Sequence, residues 1–315
     1  MFRVLHVDTA NEWRGGQVQL LHLVVGMRKR GWPVSVACPE GSPLWNAVKE
    51  AGVETVSVPV GRSMQAARKI SQWRPDLVAA HTSHAHTCCL LLRQPLVVHR
   101  RVDFVPSGGW KYRRPDGYVS VSRAVGKIVA EAGGRNVLVV HDGVTGLPDV
   151  LPCPDGPTVL AVGARVPHKG HRVLAAAAAL MPEVDIGVAG DGPLTYPGIR
   201  WLGHRTDIAA LHAAARVFVH PSIEEGMGQS VVEAMLSGVP VVCSDAGGLP
   251  EVVGDCGIVV PAGDARALAM GIQRALRGEH PPTALAKQHA LDLFGVDLMV
   301  ENTIRAYQLI LGDAQ

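Results

Sequence analysis

Short runs of Val, Leu and Ile alternate with longer amphipathic stretches along the whole chain, and no other feature constrains the fold as strongly. Apolar runs of strand length fall at residues 2–7, 33–37, 54–58, 77–81, 96–99, 117–121 and 137–141. Helical periodicity fills the gaps at 17–30, 43–51, 66–73 and 123–131, with Ser122 placed as N-cap of the last. Strands that are apolar at nearly every position, each followed by a helix, predict a parallel sheet covered on both faces. The pattern pauses at residues 147–157, "LPDVLPCPDGP", a Pro-rich stretch without periodicity that predicts a linker. It then restarts, with strands at 158–162, 185–189, 216–219, 240–243 and 257–260 and helices at 173–180, 208–215, 229–237 and 265–276. The expected architecture is α/β: two Rossmann-like doubly wound domains, 1–150 and 151–295, facing each other across a cleft. A last amphipathic segment, 296–311, is free to pack on either.

Composition narrows the partners. With 47% hydrophobic and 18% charged residues the chain has ample core and is not disordered. Aromatics at 4% argue against an RNA module built on base stacking, and a net charge of +2 is too small to imply nucleic acid. The total hides a split: residues 1–150 carry 19 Lys/Arg against 11 Asp/Glu, and residues 151–315 carry 11 against 17. The N-terminal half is therefore expected to meet something anionic. The six cysteines show no CxxC pair and read as thiols, with Cys88 and Cys89 buried. No basic-plus-apolar leader precedes the first strand and no run of about 18 apolar residues occurs, so a cytoplasmic protein is expected, with at most peripheral membrane contact.

Chemistry concentrates between Val162 and Glu251. In "VGARVPHKGH", Arg165 and Lys169 follow a strand end through a Gly-containing turn, where two cations are suited to converge on one diphosphate. In "EEGMGQSVVE", Glu225 precedes a Gly-Met-Gly turn and Glu233 lies about one turn into the next helix. Gly226 and Gly228 let the backbone approach a ligand, and the amides of Gln229, Ser230 and Val231 open a helix whose N-terminus attracts phosphate. Carboxylates on both sides of a phosphate-binding helix start make sense as acceptors for hydroxyl groups, one on a ribose and one on a sugar. The histidines of "HTSHAH" (His81, His84, His86) have no supporting carboxylate or cysteine set; acceptor contact and structural hydrogen bonding are both open to them, and metal ligation is not expected. A GxGxxG turn is missing after the first strand, and so is GxxxxGK[ST], which removes dinucleotide oxidoreductases and P-loop NTPases.

Together these residues resemble the nucleotide-sugar-dependent glycosyltransferases of the GT-B fold, family 4 (group 1, retaining). "GARVPHKG" is similar to that family's Arg-then-Lys donor motif, "EGMGQSVVE" to its Glu-x7-Glu signature, and "GVPVVCSDAGGLPEVV" to the segment that follows. The N-terminal half matches more loosely, through "NEWRGGQVQLLHLVVGMRKRG", "VSRAV" and "VVHDGV". The resemblance implies that 296–311 packs back on the N-terminal domain. It implies that Arg165 and Lys169 neutralise a departing diphosphate and that Glu233 holds ribose hydroxyls. Glu225 would hold the sugar, with the backbone of Gly226, Met227 and Gly228. Gln229, Ser230 and Gly16 would complete the donor site. Gly15, His84, His99 and Asp103 would stand on the acceptor side. The family places a His just beyond the fifth strand; here that position holds Arg101, with His99 two residues earlier, and either takes the role.

The expected activity is retaining transfer from a nucleotide-diphosphate sugar to a glycan, lipid-linked or small-molecule acceptor, in cell-envelope glycan, glycolipid or polysaccharide synthesis. No cofactor is expected: protein cations take the place of a metal, and no Asp-x-Asp motif occurs. The cluster Arg100, Arg101, Lys111, Arg113 and Arg114 points to an anionic acceptor or an anionic membrane surface. The alternatives are a nucleotide-sugar 2-epimerase of the same fold and a sugar-nucleotide-binding protein that has lost transfer.

Overall fold

The computed structural model describes residues 1–105 and 109–312. The chain forms two compact units, Met1–Gly143 together with the segment from Val296 onward, and Val144–Gly295.

Unit 1 runs β1 (Val4–Val7), α1 (Gly15–Lys29), β2 (Val34–Cys38), α2 (Pro43–Glu50), β3 (Glu54–Ser57), α3 (Ser63–Trp73), β4 (Leu77–Ala80), α4 (Ser83–Cys89), β5 (Leu96–Arg100), β6 (Gly117–Ser120), α5 (Arg123–Glu131) and β7 (Val137–Val139). Its seven strands are parallel, in the order β3-β2-β1-β4-β5-β6-β7. The order reverses between β1 and β4, and both strands are buried at every residue. That burial is what helices on both faces of the sheet require. Ser122 caps α5 as expected, its hydroxyl accepting from the Val125 N–H.

Unit 2 runs β8 (Val159–Val162), α6 (His171–Ala178), β9 (Ile186–Ala189), β10 (Arg200–Gly203), α7 (Ile208–Ala214), β11 (Val217–His220), α8 (Gln229–Leu236), β12 (Val241–Ser244), α9 (Leu249–Val253), β13 (Ile258–Val260), α10 (Ala265–Leu276) and α11 (Thr283–Leu293). Its six parallel strands run β10-β9-β8-β11-β12-β13, reversing between β8 and β11. In doubly wound sheets ligands bind outside the carboxyl ends of the strands at such a reversal.

The last helix, α12 (Val296–Leu311), belongs to unit 1. Met299, Val300, Ala306 and Tyr307 enter the same buried cluster as Leu20, Leu23, Val24 and Met27 of α1. Two glycines admit it: a Cβ on Gly26 would lie 2.5 Å from Val300 Cγ2, and one on Gly117 would lie 2.5 Å from Ile310 Cδ1. The Pro-rich stretch is not a tether between units. The division falls at Gly143/Val144, and residues 147–157 lie on unit 2, where the Cys153 N–H donates to Ala210 O at 2.9 Å. Proline removes strand and helix periodicity without removing packing, so the stretch reads as a linker in sequence. The strand β10 escapes the apolar pattern because it lies at the sheet edge with no fully buried residue.

Candidate active site

In unit 2 the expected donor residues gather at the β8/β11 reversal. Beyond β8 the chain makes a single 3-10 turn, Pro167–Lys169, then a left-handed Gly170 that starts α6. The Ile223 N–H donates to His168 O at 2.7 Å, clasping this turn to the loop after β11. Lys169 Nζ donates to Glu225 Oε2 at 2.5 Å. The same oxygen accepts from His220 Nε2 at 2.7 Å and from Ser222 Oγ at 3.2 Å. Burial alone pushes the Glu225 carboxyl up, but His220 and Lys169 outweigh it and hold it well below the usual carboxylate range. Burial lowers the His220 pKa, against the opposing pull of its hydrogen bond and charge contact with Glu225. Ser230 Oγ lies 3.4 Å from His220 Nδ1 and from Val162 O.

Arg165 is placed differently. Its guanidinium lies over the Trp201 ring at 5.6 Å, and its Nε is buried without a partner. Lys169 rests on Glu225 and Arg165 on Trp201, so the two cations expected to converge stand here on separate partners. Gly228, at φ +89°, opens α8 with the close packing expected of it: a Cβ there would sit 2.6 Å from Leu249 Cδ2. Gly226 and the buried Met227 lead into that turn, and the Gly248 N–H donates to Glu225 O. Of the three amides at the start of α8, that of Val231 turns back to Gly228 O at 2.9 Å.

Glu233 differs from Glu225 in having no cation or hydrogen-bond donor on its carboxylate among the described residues, and burial pushes its pKa up to about 7. The folded state therefore holds this proton more tightly than the unfolded chain, and stability drains away as pH rises from about 4.5 to 7. The shift is worth roughly 3 kcal/mol at most, and the partly covered side chain discounts it to about 2 kcal/mol. Urea unfolding of the parent and Glu233→Gln should show this directly. The variant is expected to gain relative to the parent between pH 5 and pH 8, whereas parallel profiles contradict the assignment.

In unit 1, Gly15 and Gly16 form the first turn of α1. A Cβ on Gly16 would meet nothing within 4 Å, so this unit does not itself demand glycine there. Gln17 fixes that turn, accepting from the Arg14 N–H at 3.1 Å and donating to Asp8 Oδ2 at 2.9 Å. His84 is held by structure: its nitrogens meet Thr9 Oγ1 at 3.2 Å and Ser63 Oγ at 3.3 Å. Asp103 faces Arg100 electrostatically.

Arg101 Nε donates to Asp142 Oδ1 at 2.8 Å and its Nη1 lies 3.1 Å from His81 Nδ1. Arginine only donates, so His81 Nδ1 is the acceptor and its hydrogen sits on Nε2. That hydrogen goes to His6 Nδ1, 3.0 Å away, which leaves the hydrogen of His6 on the buried, unpartnered Nε2. His99 stacks on His81 with centroids 4.2 Å apart and bonds Tyr307 Oη of α12 at 2.6 Å. Burial, with Arg101 nearby, pushes His6 down to about 3 and His81 and His99 well below their ordinary value. His99, expected on the acceptor side, is thus a buried rung of a neutral ladder whose end is charged Arg101. Sequence reasoning missed His6, Tyr307, His220, Ser222 and Trp201. For His220 and Ser222 a signal existed: "VHPS" sits at a strand's carboxyl end, five and three residues ahead of Glu225.

Known proteins match both units. A family model described as "Glycosyl transferases group 1" matches residues 156–278, and "Glycosyl transferase 4-like domain" matches 14–143. The chain belongs to the GT4-type glycosyl transferases of group 1. Among relatives of this group, the O-antigen chain mannosyltransferase B of Escherichia coli is 42% identical over 117 residues, 36% of this chain and 30% of that protein. The lipopolysaccharide core biosynthesis glycosyltransferase LpsE of Rhizobium meliloti strain 1021 is 27% identical over 244 residues, 70% of this chain and 72% of its own. The chain thus spans less than a third of the first relative and nearly three-quarters of the second. The Anabaena Alr3699/HepE structure, in complex with UDP and glucose, superposes with a TM-score of 0.80 at 21% identity, covering 98% of this chain and all of that one. This likeness gives the fold: two Rossmann-like domains of the GT-B type. The GT4-type chain has no metal-sized group of three His, Cys, Asp or Glu among the described residues, and no described helix is long and apolar enough to cross a membrane.

Proposed function

We propose that the chain is a retaining glycosyltransferase that moves a sugar from a nucleoside-diphosphate sugar to an acceptor hydroxyl in glycan or glycolipid synthesis. The observation that carries this reading is the pairing of two unlike carboxyls around one phosphate-type helix start. Glu225 is bound to Lys169 and His220, which favour its ionised form, while the partly covered Glu233 has no partner among the described residues and is suited to accept from ribose hydroxyls. Arg165 and Lys169 supply the positive charge that stabilises a departing diphosphate, so transfer proceeds without a metal. With the nucleotide leaving and the acceptor attacking on one face of the sugar, the anomeric configuration is kept.

The named relatives support this class of reaction. One is a mannosyltransferase and another a lipopolysaccharide core glycosyltransferase. Epimerisation has no support from either family model. The acceptor is a glycan or lipid-linked molecule. Exposed Phe104, Val105 and Trp110 beside Lys111, Arg113 and Arg114 form a basic, apolar edge suited to the cytoplasmic face of an anionic membrane. Incubation with a panel of nucleotide sugars and candidate acceptors tests the reading. Nucleotide release that depends on acceptor, survives EDTA and yields an α-configured product from an α-configured donor is expected. Interconversion of the donor sugar, or binding with no turnover on any pair, overturns it. Sedimentation with anionic against neutral vesicles tests the membrane edge, and equal recovery with both counts against it.

A further inference from the structure

A cavity of about 240 Å³ opens in unit 1 at the carboxyl ends of β4 and β5, lined among others by Ser83, His86, Arg100, Arg101 and Tyr112. Arg100 is unusual there. It is only 6% exposed, and its guanidinium lies against the Phe104 and Tyr112 rings at 4.5 and 6.0 Å. Its Nη1 donates to Tyr112 Oη at 3.2 Å and its Nη2 to Phe104 O at 2.7 Å, but Nε is buried with no partner. A buried cation with an unmatched N–H is costly unless something accepts from it.

Among the described residues the surroundings do not hold that acceptor. The Arg101 guanidinium is committed to Asp142 and His81. His86 gives its Nε2 hydrogen to Lys111 O at 3.2 Å. Asp103 faces Arg100, yet neither it nor Asp142 lines the cavity. Lys111, itself outside the lining, places its Nζ 3.1 Å from Oγ of the lining Ser83 and so adds a further cation behind the wall. Among the described residues the cavity walls therefore carry cations and hydroxyls and no carboxylate, a donor set that matches an oxyanion.

We propose that this cavity receives an oxyanion borne by the acceptor, a phosphate or a carboxylate, with the Arg100 guanidinium and Ser83 Oγ of the wall as its donors and Lys111 Nζ, which bonds that hydroxyl, as a supporting cation. The inference rests on the transfer reading for calling the ligand an acceptor, but the binding site itself does not. The test uses the full chain carrying Arg165→Ala and Lys169→Ala, which removes the other phosphate-suited cations. Calorimetric titration then compares inorganic phosphate, glucose 6-phosphate, glucuronate and glucose at fixed ionic strength. Binding of phosphate and glucose 6-phosphate, or of glucuronate, but not of glucose, is expected. The arm that binds tells phosphate from carboxylate.

Adding Lys111→Gln, at a partly exposed side chain whose loss leaves the core intact, should raise the dissociation constant tenfold or more. Arg100→Leu should abolish binding, with thermal unfolding checked alongside. No oxyanion binding in the Arg165→Ala, Lys169→Ala background, or affinity unchanged by Lys111→Gln, overturns the proposal. Failure of transfer by the parent chain, with oxyanion binding intact in the double variant, would sink the function and leave the site standing.

Discussion

Lys169→Ala is expected to lower kcat at least 100-fold with a much smaller change in the donor's KM. Lys169 sits in the turn beyond β8 with its ammonium on Glu225 Oε2, at the strand reversal where ligands of doubly wound sheets bind. Removing one preorganised donor from a developing negative charge typically costs about 100- to 1,000-fold in rate. An interaction that strengthens as the diphosphate departs shows in kcat, whereas one made equally to bound donor shows in KM. The variant also takes the ammonium away from the Glu225 carboxylate, which keeps its contacts with His220 and Ser222. Partial exposure of both ions limits that loss of stability to about 1–2 kcal/mol. Lys169→Arg keeps the charge and should recover part of the rate. Parent-like kcat in Lys169→Ala, measured at saturating donor, removes Lys169 from the site.

Gly170→Ala should be the most destabilising single-methyl change in unit 2, by about 3–5 kcal/mol. Its backbone is left-handed at φ +69°, and a Cβ would lie 1.8 Å from Pro221 O and 2.7 Å from Pro221 C. Both are backbone atoms, so no side chain can swing aside. Gly31→Ala is the control: φ is similar at +79° but nothing lies within 4 Å, so only the backbone penalty of about 1 kcal/mol applies. Denaturant midpoints of the two variants measure the difference. Equal losses would show that the clasp between the 3-10 turn and the loop after β11 yields easily. If instead it holds, Gly170→Ala also draws Lys169 off Glu225, and activity falls with stability.

The parts of the fold that sequence makes legible are those where burial and periodicity agree. β1, β4, β8 and β11 are buried at nearly every residue and stand out as apolar runs. β10 does not, because an edge strand with exposed and half-covered residues has no such run. The donor residues were visible because Arg165, Lys169, Glu225 and Glu233 lie within two short motifs. What supports them was not. Trp201 under Arg165 comes from another stretch, brought there only by the sheet, whereas His220 stands five residues ahead of Glu225 and needs the turn after β11 to reach its carboxylate. The histidine ladder is more hidden still, because His6, His81, His99 and Tyr307 are distant in sequence and look individually like ordinary strand or helix residues. The basic cluster at the end of β5 is legible as charge but not as placement. Its charges read as a surface, yet Arg100 is buried and Arg101 is tied to Asp142.

The return of α12 to unit 1 sets an order on biosynthesis. The core around Leu20, Val24 and Met27 lacks Met299, Val300 and Tyr307 until the ribosome has made all of unit 2. At ordinary elongation rates of about 5–20 residues per second, roughly 10–30 s separate the end of β7 from the arrival of that helix. During this interval the nascent N-terminal sheet exposes an apolar flank where α12 will lie. The C-terminal unit, though made second, is the first whose sequence is complete.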